Sequence, residues 1–427
     1  MSTLAPTPAD PAEAHRHRRR HGRGFWSVAF AFLVVMAFST VPSPLYGIYQ
    51  ERDGFSSFVI TLIYAGYAVG VVGSLLLAGH LSDWHGRRRV LLPALAFSVL
   101  SALVFLVWRD LPGLFLARIL NGVSVGVVAA TATAYLAELH AVSRPDAGPR
   151  RSQLVATAVN LGGLGIGPLV SGTLAQWSGS PLGLPYVLFL VVLVLAIGVV
   201  AVAPETRERP DPMPDYRPQR VSVPAEARGA FAAAATGAFL AFGVLGLFTG
   251  LVSVFLVGTL GHTSHALAGL TLFLMFGGGV VSQIGTSSWS AHRVLAAGTA
   301  LMLAGLALTV LAVWLPTPSL AVFLLGGAVS GAGAGAVFKG TVATVVGLAP
   351  PETRAEALAG LFLAGYHGLS VPAVGAGVAL QELSARTTLT GFAVLVGGAI
   401  VLSAPRLLRR PAGETGEPGP RPAGAAA

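Results

Sequence analysis

Residues 79–89 read Gly79-His80-Leu81-Ser82-Asp83-Trp84-His85-Gly86-Arg87-Arg88-Arg89. The string sits between two apolar runs, near 58–81 and 90–108, each about the roughly 20 residues that cross a bilayer core. Three adjacent arginines need water, and arginines in short loops between spans are retained on the cytoplasmic side. Charge alone does not require Gly79, Asp83 or Gly86. The two glycines permit close approach and a tight turn, and Asp83 is placed to accept from a neighbouring helix N-terminus or an arginine. A contact of that kind can latch one conformation.

Outward from this loop the same alternation continues. Apolar segments lie at Phe25 to about Tyr46 and near 58–81, 90–108, 112–138, 153–176 and 183–203. Six more follow near 230–257, 266–288, 294–315, 319–347, 355–379 and 388–408. The first resembles a secretory signal in position, but it is long and many apolar segments follow it, so it reads as a first span. Pro42, Pro44 and Tyr46 end it early, and Tyr46 and Tyr49 fit an interfacial aromatic belt. The organisation expected is a disordered basic tail (1–24), a six-helix bundle (25–203), a linker rich in proline and charge (204–229), a second six-helix bundle (230–408) and a polar tail (409–427).

Composition agrees. Of 427 residues, 54% are hydrophobic and 11% charged, against about 25% charged in soluble domains, so there are too few charges to coat a water-facing surface. The net charge of +9 lies in short stretches between apolar runs, which marks topology and not a nucleic-acid face. Arginines recur at Arg16 to Arg23, Arg87 to Arg89, Arg144, Arg150 and Arg151, through the linker, and at Arg293 and Arg354, always in alternate loops. Both termini are therefore expected in the cytoplasm. Cysteine is absent, which removes disulfides, thiolate metal sites and cysteine nucleophiles.

The string from Gly79 to Arg89 resembles the signature loop of the major facilitator superfamily: a glycine, a small or apolar pair, an aspartate, then glycine and basic residues. The resemblance extends over the apolar chain from Phe25 to Leu408. It implies an all-α membrane protein of the major facilitator fold, with 12 transmembrane helices in two pseudo-symmetric six-helix bundles. Gly79, Asp83, Gly86, Arg87 and Arg88 would then form a cytoplasmic gate that stabilises the outward-open state. Arginine in place of lysine, with abundant Ala, Gly and Val, fits a bacterium with GC-rich DNA and hence a bacterial inner membrane. Pro168 and Pro372 fall at matching offsets in the two halves, as a repeat of about 200 residues requires.

Two further strings resemble family motifs. Arg118, followed by Gly122 and Gly126, sits in the fourth apolar segment, where a charge costs several kcal/mol unless it meets a partner or a wet cavity. The family assigns this arginine to proton coupling; snorkelling to an interface is the structural alternative. Gly122 and Gly126 share a helix face and suit helix packing. The run Gly163-Leu164-Gly165-Ile166-Gly167-Pro168-Leu169-Val170-Ser171-Gly172 partly resembles the motif of drug:proton antiporters, with Leu154 and Ser171 departing from it. Gly163, Gly167, Pro168 and Gly172, with Pro372, are expected to bend and pack helices.

Other candidates are single residues. Glu138 suits a proton relay or an interfacial pair with Arg144 or Arg150. Asn121, Thr131, Phe248, Lys339 and His367 are expected to line a substrate cavity; Lys339 is the only lysine in the chain, and it could instead snorkel. No Asp or Glu lies well inside any span, no phosphate-cradling loop is present, and no metal-ligand cluster or nucleophile-base pair is recognisable, so neither an enzyme nor an ATP-driven pump is expected. The function expected is secondary active transport of a small molecule by alternating access as a monomer. Its direction is efflux, energised by the proton gradient without a cofactor. Import of a sugar or metabolite by a facilitator or proton symporter, and a membrane sensor that has lost transport, are the alternatives.

Overall fold

The computed structural model describes residues 11–207, 210–211, 215–350 and 353–409. Among the described residues, twelve helices are long and apolar enough to span a membrane. They are α1 (Pro11–Thr40), α2 (Ser57–Ala78), α3 (Arg87–Val107), α4 (Leu111–Ser143), α5 (Arg150–Trp177) and α6 (Leu184–Ala201). The second half comprises α7 (Arg228–Leu260), α8 (His265–Gly285), α9 (Ala291–Trp314), α10 (Leu320–Leu348), α11 (Arg354–Ala379) and α12 (Ala385–Leu407). No strand occurs among the described residues. Helices are the form that satisfies every backbone group inside a span without outside partners.

Helix ends follow local chemistry. At one end of the molecule, Ser56, Ser264, Ser319 and Ser384 cap α2, α8, α10 and α12, each side chain accepting from the backbone N–H three residues on. Gly54 and Gly261 turn the chain just before α2 and α8 with φ of 70° and 69°. These matching turns are a surviving trace of the internal repeat. The opposite end carries the arginine-rich loops and is called the basic end below.

The helix of the first span begins at Pro11, not at Phe25, so residues 11–24 are helical and Arg16 to Arg23 ride on the first turns of α1. A preformed apolar helix lowers the cost of adding turns, because only nucleation is unfavourable. After Thr40 the span continues as a turn of tighter helix (Ser43–Leu45) and a short helix (Tyr46–Asp53). Tyr46 and Tyr49 do not form an interfacial belt: both are buried, and Tyr49 hydrogen-bonds through its hydroxyl to that of Tyr186.

Each half has its own apolar core. Within the halves, glycines let backbones meet. A side chain at Gly70 or Gly122 would overlap the facing backbone of α4 or α2, and at Gly331 or Gly335 that of α8. This α2–α4 and α8–α10 correspondence is the pseudo-symmetry in packing. The halves meet through α5 against α8 and α2 against α11. Away from the basic end this seam is tight: a methyl on Gly172 would overlap the carbonyl oxygen of His265, one on Gly269 that of Pro168, and one on Gly377 the side chain of Thr61.

Candidate functional site: an arginine loop and an aromatic cavity

The loop between α2 and α3 is built around a glycine that no other residue replaces freely. Gly86 adopts φ of 99° and ψ of 146°, and a Cβ there would lie 2.7 Å from a carboxylate oxygen of Glu205. That carboxylate, from the linker, accepts from the backbone N–H of Arg87 at 2.7 Å and of Arg88 at 3.1 Å, and so caps the N-terminus of α3. Arg88 donates to the carbonyls of Ala201 and Ala203, near the end of α6, at 3.3 and 3.1 Å. Gly79 continues α2 in helical conformation and borders the cavity.

Arg87 is buried and reaches three partners. It lies 2.7 Å from Asp83 and 2.9 Å from Glu138, and donates to the Ser82 hydroxyl at 2.7 Å. Glu138 also accepts from the Thr206 hydroxyl at 2.6 Å and from Arg207 at 3.0 Å. Glu138 is thus a fixed acceptor between α3, α4 and the linker. Its partners are not the expected Arg144 or Arg150, because the linker segment after α6 folds back onto α4 and brings Thr206 and Arg207 to it. Asp83, half exposed, meets the arginine of its own loop and not the N-terminus of a neighbouring helix. Glu205 and Thr206 escaped the sequence reading, since their role depends on that return of the linker, and Ser82 did because its contact with Arg87 depends on the turn between them.

The second site starts where α1 breaks. Pro42 and Pro44 have no N–H to donate, so carbonyls of the last turn need outside partners. Arg118 Nη1 donates to the Ser39 carbonyl at 2.7 Å. The Thr40 hydroxyl donates to the Leu164 carbonyl at 2.9 Å, the oxygen that Pro168, four residues on, leaves without its helical donor. Ser171 donates to the Val41 carbonyl at 2.9 Å. The open carbonyls where α1 ends, and the one that Pro168 leaves open within α5, therefore receive the polar ties that join α1, α4 and α5.

Arg118 is 2% exposed, with its guanidinium carbon 4.7 Å from the Tyr67 ring centre and 5.5 Å from that of Tyr64. Its Nε has no hydrogen-bond partner, and no carboxylate pairs with it among the described residues. It borders a cavity of about 470 Å³ between the halves, within the usual range for small-molecule sites. The walls are aromatic: Tyr64 and Tyr67 from α2, Phe242 from α7, Phe338 from α10, and Phe362 and Tyr366 from α11. From Arg118 the lining descends to Gly79, Thr133, Val342 and Ala355 at the basic end. There Gln219 of the linker spans the mouth: its N–H donates to the Leu76 carbonyl at 2.8 Å and its side-chain amide to that of Ala355 at 3.1 Å.

The five other residues expected at the cavity stand outside its lining. Asn121 is buried between Ala117 and Ser124 on the face of α4 turned to α3, where Ser101 and Ser98 meet it. Thr131 is one residue past the lining residue Ala130, and about 100° of helical rotation turns it into the bundle. Phe248 packs on Phe323 with ring centres 5.8 Å apart. Lys339 donates to the Gln283 carbonyl at 2.8 Å and to Thr286 at 3.1 Å, which ties α10 to the C-terminal end of α8. His367 is exposed and bonds back to the Leu363 carbonyl of its own helix.

The glycine-proline run packs helices. Gly163 and Gly167 face the backbone of α1 at Leu33 and Ala37, and Gly172 faces α8. Pro372 lies inside α11, with its ring against Gly243 of α7. Gly122 and Gly126 receive α2, as expected.

Twelve spans among the described residues, in two bundles around a cavity between them, fit a multi-pass membrane transporter. The chain belongs to the Major Facilitator Superfamily, whose family profile matches residues 28–302, and is accordingly a transporter and not an enzyme. Over 175 residues it is 33% identical to the cephamycin export protein CmcT of Amycolatopsis lactamdurans, a match covering 39% of this chain and 35% of that protein. It is 29% identical over 100 residues to the arabinose-proton symporter of Bacillus subtilis (strain 168), covering 23% and 22%. It is 33% identical over 114 residues to the 3-(3-hydroxy-phenyl)propionate transporter of Escherichia coli (strain K12), covering 26% of each. The matches thus span about a third or less of these relatives. In fold it is similar to the human organic anion transporter MFSD10 (TETRAN), with a TM-score of 0.66 at 17% identity, covering 91% of this chain and 99% of that one. The nucleoside transporter NupG gives 0.67 at 12% identity, covering 90% and 99%.

Proposed function

We propose that this chain exports a small amphipathic anion with an aromatic or apolar body across the bacterial inner membrane, by rocking of its two bundles. The observation that carries this is Arg118, a buried guanidinium with an unpartnered Nε at the head of an aromatic cavity. An isolated buried charge is costly, and a carboxylate on the substrate offsets that cost. The aromatic walls supply the apolar contact that an amphipathic body needs. Relatives that export cephamycin and carry a phenylpropionate are consistent with such a substrate. The positive charge of the arginine loops supports a cytoplasmic basic end with both termini on that side, and hence a cavity entered from inside.

The proton gradient energises export. Its electrical part alone favours outward movement of one negative charge by about 2.3 kcal/mol per 100 mV. No acid lines the cavity among the described residues, so the driving force acts on the substrate's charge and not on a titrating carboxylate.

The test is flux into inside-out proteoliposomes under an imposed potential, with an internal pH-sensitive dye, for a panel of aromatic carboxylates and their cationic and uncharged analogues. Export of the carboxylates, reduced at least tenfold in Arg118→Ala and less in Arg118→Lys, is expected. Preference for the cations, or equal flux of the carboxylates in Arg118→Ala, overturns the proposal. Substrate-dependent proton movement in the same vesicles assigns the coupling to proton exchange.

A further inference from the structure

A second pocket, of about 310 Å³, lies at the basic end between the first turns of α1 and the ends of α4 and α5. Arg18, Arg19, Arg144 and Arg151 converge on it, and its lining contains no carboxylate. None of these arginines forms an ion pair among the described residues. His140 lines the same pocket, is 3% exposed and has its Nε2 without a partner. Trp26, 55% exposed, forms the rim, with the Arg151 guanidinium carbon 5.9 Å from its ring centre.

Topology explains the number of arginines at this end but not their convergence from three helices on one concave site. Nor does it explain a buried ring nitrogen left without a partner beside that site. Like charges so placed repel one another unless an anion sits among them. We infer that this pocket binds a phosphate oxyanion, and that the phosphodiester of an anionic phospholipid supplies it. Arginine presents forked donors suited to phosphate oxygens, and the unpartnered His140 ring adds one more in the tautomer that carries its hydrogen on Nε2. Trp26 is the residue type that lies where headgroups meet acyl chains, so the lipid tail has an apolar exit beside the charge. The site is separate from the cavity at Arg118 and does not depend on what that cavity carries.

The full chain, purified in detergent, is titrated with dioleoyl-phosphatidylglycerol, dioleoyl-phosphatidylcholine or inorganic phosphate, and bound copies are counted by native mass spectrometry. The expected result is retention of phosphatidylglycerol at least tenfold tighter than phosphatidylcholine. Arg144→Gln with Arg151→Gln should remove that preference, whereas Arg293→Gln with Arg406→Gln, an equal charge change elsewhere at this end, should keep it. His140→Gln, which spares every arginine, should weaken it several-fold and guards against a double variant that fails to fold. Binding of inorganic phosphate with loss of lipid selectivity assigns the same oxyanion site to a free anion. Equal retention of both lipids with no phosphate binding, or an undiminished preference in the Arg144/Arg151 variant, overturns the inference.

Discussion

The hydroxyl of Thr40 donates to the carbonyl oxygen of Leu164 at 2.9 Å, replacing the backbone donor that Pro168 lacks. A break in α1 and a break in α5 thus satisfy each other within the apolar core. Thr40→Val keeps the shape and removes the donor. Leaving that carbonyl unpaired costs about 1–3 kcal/mol, so a fall in melting temperature is expected. Adding Pro168→Ala restores the helical N–H and should recover much of the loss in a double-mutant cycle.

Glu138 and Arg87 separate a structural acid from a proton carrier. Glu138→Gln leaves a buried guanidinium with a weaker acceptor, and a destabilisation of about 2 kcal/mol or more is expected. Arg207→Ala, which removes the more exposed partner of the same acid, should cost less than about 1 kcal/mol. Thermal unfolding checks both. The pH dependence of flux in Glu138→Gln should match that of the parent; a flattened profile would return Glu138 to proton coupling.

Gly86→Ala should be far more damaging than Gly261→Ala. Both sites have positive φ, but nothing lies within 4 Å of a Cβ at Gly261, whereas one at Gly86 meets the Glu205 carboxylate. The first change is expected to cost more than about 1 kcal/mol and to lower transport by loosening the cap on α3. Comparing melting temperatures and flux of the two variants decides this.

Phe338→Ala and Tyr67→Ala remove cavity wall and should raise the substrate KM several-fold. His367→Ala, on the exposed face of α11, should leave KM and maximal flux unchanged. A large effect at His367 with none at Phe338 would move the site out of this cavity.

Burial holds the His80 ring, packed on Trp84 with centres 4.5 Å apart, below the ordinary histidine value of 6.5, with Asp83 opposing the shift. The unfolded chain therefore takes up this proton at higher pH than the folded one. The sign follows: the contribution is complete above 6.5 and is lost as pH falls through the lowered folded value. His80→Gln should flatten the fall in melting temperature on acidification below that point, and an unchanged slope would refute the assignment.

The sequence by itself determined the number of spans, the loops that carry positive charge and the glycine faces, because bilayer thickness, loop charge and backbone approach all act locally along the chain. Arg118 was visible too, since an arginine in a span always needs a reason. The tertiary structure decided which residues meet. Glu205, Thr206 and Gln219 act only because the linker folds back on the basic end, and Glu138 takes its partners from that return. Helical rotation turned Asn121, Thr131 and Phe248 into the bundles and brought Tyr67, Phe338 and Tyr366 to the cavity. Apolar residues occur on every face of a membrane helix, so hydrophobic pattern alone does not separate a wall that faces substrate from one that faces lipid or another helix.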